Sequence, residues 1–418
     1  MNIKETLDKL FALHTFGVKL GLENIVSFLN EIGNPQSGLK TIHIAGSNGK
    51  GSTASFIASS LMEAGYKVGL YTSPHFVRFN ERIRINGKEI TDEAVAEFYA
   101  KHEKIILDKS LTFFEVTTAM AFQYFKNQKV DYAVIETGLG GRLDATNVLS
   151  PLAIVITSIS QEHTNILGNS LSEIAFEKAG IIKNKSKVFI GKLPEEAAAV
   201  IEKKCSETDS ELFAIDEYTN FSGGVIELYT EEIELDDWTM PLKGDYQKYN
   251  AALAGLVIAK IFNIDNQRII LQGIRNVIKN TNLQGRYEYF STNPLVIFDS
   301  AHNPEGVENF LSEFKKEASA VKGNKILIFA AMRDKAVDKM LLMLNQQFDD
   351  IRITTVNYER ALSIKELHHI AINQKINVNL EQQPVKFIND FIRFNKNDCL
   401  VVLGSMYLLG EIKSNLIK

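Results

Sequence analysis

Residues 42–53, Ile42-His43-Ile44-Ala45-Gly46-Ser47-Asn48-Gly49-Lys50-Gly51-Ser52-Thr53, run from an apolar stretch into a small, polar, glycine-rich turn. The order strand, loop and helix N-terminus predicts an α/β sheet with an anion held at a strand tip. Glycines let successive backbone N–H groups point at one phosphate. Lys50 adds a mobile cation, and the hydroxyl of Ser52 or Thr53 suits Mg²⁺. The spacing departs from the standard P-loop, because Ile44 stands where that loop has its first glycine. An ordinary glycine turn between strand and helix is the competing reading.

Outward from this loop the same order recurs. Upstream, residues 5–32 carry apolar positions at helical spacing (Leu7, Leu10, Phe11, then Ile25, Phe28, Leu29), which predicts one or two helices. Downstream, Ala54, Ile57, Ala58, Leu61 and Met62 line one helical face, and Gly65 falls at a C-cap position. A strand over Val68–Tyr71 leads into Thr72-Ser73-Pro74-His75, and Asn86-Gly87 marks a turn. A buried-type strand ends on Glu136 and the turn Thr137-Gly138-Leu139-Gly140-Gly141-Arg142. Leu143 stands where a Rossmann dinucleotide turn requires Gly or Ala. Another strand, Leu152–Thr157, runs into Ser160-Gln161-Glu162-His163-Thr164 and a helix carrying Glu173, Glu177 and Lys178. Strands alternating with helices predict a mostly parallel sheet whose ligands gather at strand tips.

Residues 210–240 differ. Leu212–Ile215 and Val225–Leu235 are short, β-rich and acidic (Glu231, Glu232, Glu234, Asp236, Asp237), which predicts a small antiparallel flap. A helix over Gln247–Phe262 follows. A second alternating set has strands at Leu295–Phe298, Lys325–Phe329, Ile351–Val356 and Leu400–Leu403. The expected division is therefore a domain over 1–285 and a smaller Rossmann-like α/β domain over 286–418.

Composition narrows the function classes. With 418 residues, 45% hydrophobic and 23% charged, the chain supports two or three globular domains. No apolar run is long enough to span a bilayer, and the N-terminus lacks a signal-peptide core, so a cytoplasmic location is expected. Cys205 and Cys399 lack the spacing of a disulfide framework or zinc site. A net charge of −5 gives no general attraction to nucleic acid or anionic membrane.

Lys50, Ser52, Ser73, Glu136 and His163 sit at separate strand tips and together would form a Mg²⁺–nucleotide site. Glu136 resembles a Walker B carboxylate or is a plain capping residue. His163 is a ligand or a polar loop residue, and Lys178 taken alone reads as a solvated surface lysine. In Asp299-Ser300-Ala301-His302-Asn303-Pro304, Asp299 and His302 orient a substrate or form an Asx-turn. Arg286 is a phosphate contact or an ion-pair partner. No Ser-His-Asp or Cys-His nucleophile arrangement stands out.

The chain resembles the folylpolyglutamate synthase/dihydrofolate synthase family, a branch of the Mur-type ligases. The resemblance rests on His43–Ser52, Tyr71–His75 with Phe79–Gly87, Thr112–Thr118, Glu136–Asn147, Glu177–Ile182, Gln247 with Asn250, Gly285-Arg286, Asp299–Pro304 and Gly404-Ser405. It implies an ATP-dependent amide ligase that adds L-glutamate to dihydropteroate, tetrahydrofolate or both, through an acyl phosphate, with domain closure excluding water. By resemblance Asn48, Gly49, Lys50, Gly51, Ser52, Gln247, Asn250, Arg286 and Asp299 would contact ATP. Lys50, Lys178, Asp299 and His302 would be catalytic. Ser73, Glu136, His163 and Lys178 would hold two Mg²⁺ ions, with Lys178 carrying a CO₂-derived carbamate. Thr72, Pro74, His75, Phe79, Arg82 and Phe114 would line the pterin side. The implied partners are small molecules only, and a monomer is expected. Ser47, Tyr246 and Ser300 replace residues more usual in the family (Thr, His and Gly). A monofunctional folylpolyglutamate synthase, another Mur-type ligase and a non-catalytic nucleotide-binding module are the alternatives.

Overall fold

The computed structural model describes residues 2–13, 21–222, 224–236, 238–262, 264 and 266–416. The chain divides into two compact units: Met1–Pro74, Arg78–Pro241 and Gln247–Leu283 form the first, and His75–Val77, Leu242–Tyr246 and Gln284–Lys418 the second. Ile3–Ala12 and Glu23–Glu31 are helices, as the spacing of their apolar positions predicts. The part of that expectation covering residues 14–20 lies outside the described residues, as does Asp237.

The first unit is built on eight strands: β1 (Thr41–Ala45), β2 (Val68–Tyr71), β3 (Ile83–Ile85), β4 (Lys88–Glu89), β5 (Tyr132–Glu136), β6 (Ala153–Ile156), β7 (Lys187–Ile190) and β8 (Glu211–Ala214). Their order is β4-β3-β2-β5-β1-β6-β7-β8, with β1 paired in parallel to both β5 and β6. Every residue of β1, β2 and β6 is buried; β2 and β6 read as unbroken apolar runs, and β1 as a mostly apolar one interrupted by Thr41 and His43, as expected where helices cover both faces. The register sets Ile44 opposite Glu136 on one side and Val155 on the other. The tips of β1, β5 and β6 are therefore level, and the loops that follow them share one edge. The β3–β4 hairpin turns at Asn86 and Gly87, with φ of 46° and 76°. Positive φ at both positions is the turn geometry that Asn-Gly favours.

The antiparallel flap begins later than its sequence suggests. Leu212 belongs to β8, which extends the main sheet in parallel beside β7. Phe213 lies opposite Phe189 in that pairing and the two rings stack at 4.7 Å, so cross-strand aromatic packing draws the segment into the large sheet. The separate sheet consists of β9 (Thr219–Ser222), β10 (Val225–Tyr229) and β11 (Glu234–Leu235), all antiparallel. Ile226 and Leu228 face inward while Val225 and Tyr229 are exposed, as expected for a sheet covered on one side.

The second unit holds β12 (Glu288–Thr292), β13 (Leu295–Phe298), β14 (Lys325–Phe329), β15 (Asp350–Ile353), β16 (Asn379–Leu380) and β17 (Cys399–Leu403), in the order β12-β13-β17-β14-β15-β16. Only β12 is antiparallel to its neighbour. The segment His75–Val77 is part of this unit, and Phe76 is packed into it. A Cβ on Gly410 would lie 1.8 Å from the Phe76 carbonyl, and one on Gly285 would strike the Phe76 ring. Lys413 lies 5.6 Å from the centre of that ring while its Nζ bonds Gln284 and both carboxylate oxygens of Glu288. Among the described residues no helix is long and apolar enough to cross a membrane.

Candidate active site

The loop Gly46–Gly49 leaves β1 and enters the helix Lys50–Glu63. Gly46 and Gly49 have φ of 153° and 84°, and neither has room for a side chain. A Cβ would lie 2.0 Å from Thr157 Oγ1 in one case and 2.5 Å from Asn250 Oδ1 in the other. The Lys50 ammonium donates to the Gly46 carbonyl at 2.8 Å and the Ser47 carbonyl at 3.2 Å, folded back over its own loop. Gly51 and Ser52 form the first helical turn, with Ser52 buried. Asn250 comes from the helix Asp245–Phe262, and its Nδ2 donates to Gln247 Oε1 at 3.1 Å. Gln247 is wholly buried and its Nε2 finds no partner among the described residues. Asn48, Gly49, Lys50, Ser52, Gln247 and Asn250 thus gather at one strand tip.

Glu136 ends β5 and accepts from the backbone N–H of Ser73 at 3.0 Å, which brings Ser73 to the neighbouring tip. Carboxylate and hydroxyl oxygens are the donor chemistry Mg²⁺ takes. Among the described residues no group of three or more His, Cys, Asp or Glu side chains is arranged to hold a metal. Ser73 and Glu136 are the oxygen-bearing residues the structure brings together at this tip. The turn after Glu136 is organised by buried Asp144, which accepts from the N–H groups of Gly138 and Leu139 and from the Thr146 hydroxyl. Burial raises the Asp144 carboxyl, opposed by these hydrogen bonds. Because the Thr146 hydroxyl donates to Asp144, it accepts from His43 Nε2, 2.8 Å away. Burial and the charge of Lys183 lower His43 to about 3, so its ring is neutral at pH 7.

Lys178, in the helix Leu171–Ala179, is 1% exposed, contrary to the solvated lysine its helical setting suggests. Its Nζ lies 2.7 Å from Glu162 Oε1, an ion pair shielded from water on both sides. Burial pushes the Lys178 amine below its ordinary value; Glu162 opposes the shift and the charge of Lys50 adds to it. Burial alone would raise Glu162, but the charges of Lys178 and Lys50 outweigh it and hold the carboxylate well below the usual range. His163 precedes the short helix Thr164–Leu167 with φ of 44°. Glu162 has no role in the sequence reading. Its position beside His163 was the available signal, but a carboxylate in a polar loop is ordinarily solvated.

On the pterin-side segments, the Thr72 N–H donates to the Arg82 carbonyl at 3.0 Å, and Pro74 follows Ser73 through a cis peptide bond. Phe79 is buried 5.9 Å from the Phe113 ring, and the Arg82 guanidinium lies 5.1 Å over that same ring. Phe114 packs over Gly138, where a Cβ would lie 2.5 Å from the ring.

His75, Arg286, Asp299 and His302 belong to the second unit. Asp299 follows β13 and accepts from the N–H groups of Tyr287 and Ala301, each at 2.7 Å. Burial pushes its carboxyl up to about 6 against those bonds and the nearby charge of Arg286. His302 Nδ1 lies 2.9 Å from the Ser300 carbonyl, which can only accept, so Nδ1 carries a proton and donates to it. Asn303 caps the helix Pro304–Ala318 by accepting from the Gly306 N–H. The Arg286 guanidinium donates to the Gly285 carbonyl at 3.4 Å.

Residues 44–258 match the Mur ligase middle domain, and residues 285–406 match the Mur ligase, glutamate ligase domain. The chain is 36% identical over 417 residues to a dihydrofolate synthase/folylpolyglutamate synthase of Bacillus subtilis (strain 168), and the match covers 96% of each. It is similar in structure to E. coli FolC in complex with DHPP and ADP, with a TM-score of 0.87 and 29% identity, covering 100% of this chain and 98% of that one. A bifunctional folylpolyglutamate synthase/dihydrofolate synthase with Mn, AMPPNP and L-glutamate bound is similar at a TM-score of 0.85 and 27% identity, covering 100% and 98%. Matching both Mur ligase domains and 36% identical to a relative along nearly its whole length, the chain belongs to the dihydrofolate synthase/folylpolyglutamate synthase family of Mur-type ligases.

Proposed function

We propose that this enzyme uses ATP to activate the carboxylate of dihydropteroate, and of reduced folate, as an acyl phosphate that the amine of L-glutamate then attacks. The observation that carries this reading is the meeting of the Gly46–Ser52 loop with Asn250 at the β1 tip, level with Glu136 at the β5 tip. Backbone N–H groups from Gly49 to Ser52 cradle the phosphates, and Lys50 swings from its two carbonyls to the charge that develops on the transferred phosphoryl group. Ser73 and Glu136 would hold Mg²⁺, and a bound ion supplies charge neutralisation across the phosphates. Lys178 is the proposed site of the carbamate. Its buried amine, pushed below the ordinary lysine value, gives up a proton more readily than a solvated one, and CO₂ reacts only with the neutral amine. His163 is the proposed further metal ligand. Arg286, Asp299 and His302 are the proposed nucleotide and catalytic contacts contributed by residues 286–418, with 1–285 as the ATP-binding part. Thr72, Pro74, His75, Phe79, Arg82 and Phe114 are proposed for the pterin side. We read the enzyme as a cytoplasmic monomer acting on small molecules.

ADP release and product mass, followed with dihydropteroate, tetrahydrofolate and nucleotide-linked cell-wall precursors, each with L-glutamate and ATP, test this reading. Turnover of the first two is expected. No ADP release with dihydropteroate would leave a monofunctional folylpolyglutamate synthase, and turnover of the cell-wall precursors alone would overturn the folate assignment.

A further inference from the structure

Two serines cross between the Gly46–Gly49 loop and the segment that follows β6, in opposite directions. Ser47 reaches from the loop: its Oγ accepts from the Ser160 N–H at 3.0 Å and donates to the Ser160 carbonyl at 3.2 Å. Ser158 reaches the other way: its Oγ accepts from the Asn48 N–H at 2.8 Å and donates to the Asn48 carbonyl at 3.1 Å. Thr157 Oγ1 adds a bond to the same Asn48 carbonyl at 2.6 Å, and the Ser47 N–H donates to the Ser158 carbonyl at 2.9 Å. Each hydroxyl acts as donor and acceptor at once, which an alanine cannot do and a threonine can. The peptides on either side of Asn48 are thereby pinned, although a loop rich in glycine has many backbone states open to it.

We propose that Ser158 and Ser47 form a reciprocal clamp that fixes the phosphate loop in its binding conformation and ties it to the segment carrying Glu162 and His163. Ser158 is then a positioning residue for nucleotide binding. It touches no substrate; it acts by holding the Asn48 peptide. The clamp rests on the assignment of residues 46–52 as the phosphate loop. A loop already in its bound shape spends no binding free energy on ordering, so removing the clamp weakens affinity for nucleotide without altering the groups that touch it.

The test measures ADP binding by calorimetry, KM for each substrate, kcat and Tm for wild type, Ser158→Ala and Ser158→Thr. In Ser158→Ala, ADP affinity should fall and KM for ATP rise by about tenfold, the scale of one or two lost neutral hydrogen bonds. KM for L-glutamate and for the folate substrate should stay within about twofold, and Ser158→Thr should recover most of the loss. Failure of the wild-type protein to bind ADP would instead break the loop assignment itself. Wild-type ADP affinity in a folded Ser158→Ala overturns the clamp. So does an equal rise in every KM together with a lowered Tm, which marks a purely structural role.

Discussion

Two lysines of the first unit, Lys50 and Lys178, lie near the same strand tips and are held in opposite ways. Lys50 rests on two carbonyl oxygens of its own loop. Lys178 is sealed from solvent against one carboxylate. Neutral acceptors release a cation at the cost of modest hydrogen bonds, whereas a buried ion pair cannot lose one member without stranding the other. On the reading proposed above, Lys50 is the lysine that moves during turnover and Lys178 the one that stays in place as the carbamate site.

The largest effect should come from breaking the mobile partner. Lys50→Ala is expected to lower the ligation rate on the order of 10³-fold with Tm close to wild type, since only loop carbonyls lose a donor. Full activity in that variant would show that the loop does not handle phosphate. Lys178→Ala is expected to lose nearly all activity, and also about 3–5 kcal/mol of stability, because Glu162 is left buried and unpaired. Short carboxylates should restore part of the activity. Adding Glu162→Gln to Lys178→Met should restore stability but not turnover, and unchanged Tm in Lys178→Ala would dissolve the contrast.

The smallest effect tests a buried carboxyl of the second unit, Asp299, which accepts from two backbone N–H groups and lies near the charge of Arg286. Its carboxyl is raised from 3.8 to about 6, so ionisation opposes folding. Its contribution is complete below pH 4 and is lost as pH rises through 6. Urea unfolding of wild type and Asp299→Asn should therefore shift in favour of the variant by up to about 3 kcal/mol between pH 4 and 7. A gap independent of pH would show that the carboxyl is not perturbed.

What the sequence disclosed follows from how local each cause is. β1, β2, β5 and β6 were readable because burial on both faces leaves mostly apolar runs, and Asn86-Gly87 because its turn needs positive φ at both residues. The burial of Lys178 was not readable. It depends on the Gly138–Arg142 turn closing over the end of a distant helix, where Arg142 N–H donates to the Glu177 carbonyl at 2.7 Å and Gly141 leaves no room for a Cβ. β8 was misplaced because short β-rich segments look alike until their partners are known, and here the partner is Phe189. The strand-tip placement of Gly46–Ser52, Ser73 and Glu136 was legible from their motifs. Glu162, the His43–Thr146–Asp144 chain and the paired serines were not, since each joins stretches far apart in sequence.

Phe76, lodged against Gly285, Gly410 and Lys413, has a consequence for how the protein can be cut and recombined. The second unit is not a contiguous tail, because it borrows His75–Val77 and Leu242–Tyr246 from the middle of the other unit's sequence. A fragment beginning at Gln284 would bare the glycine-lined groove that Phe76 fills. An exchange of this half between relatives must therefore carry three separate stretches of gene.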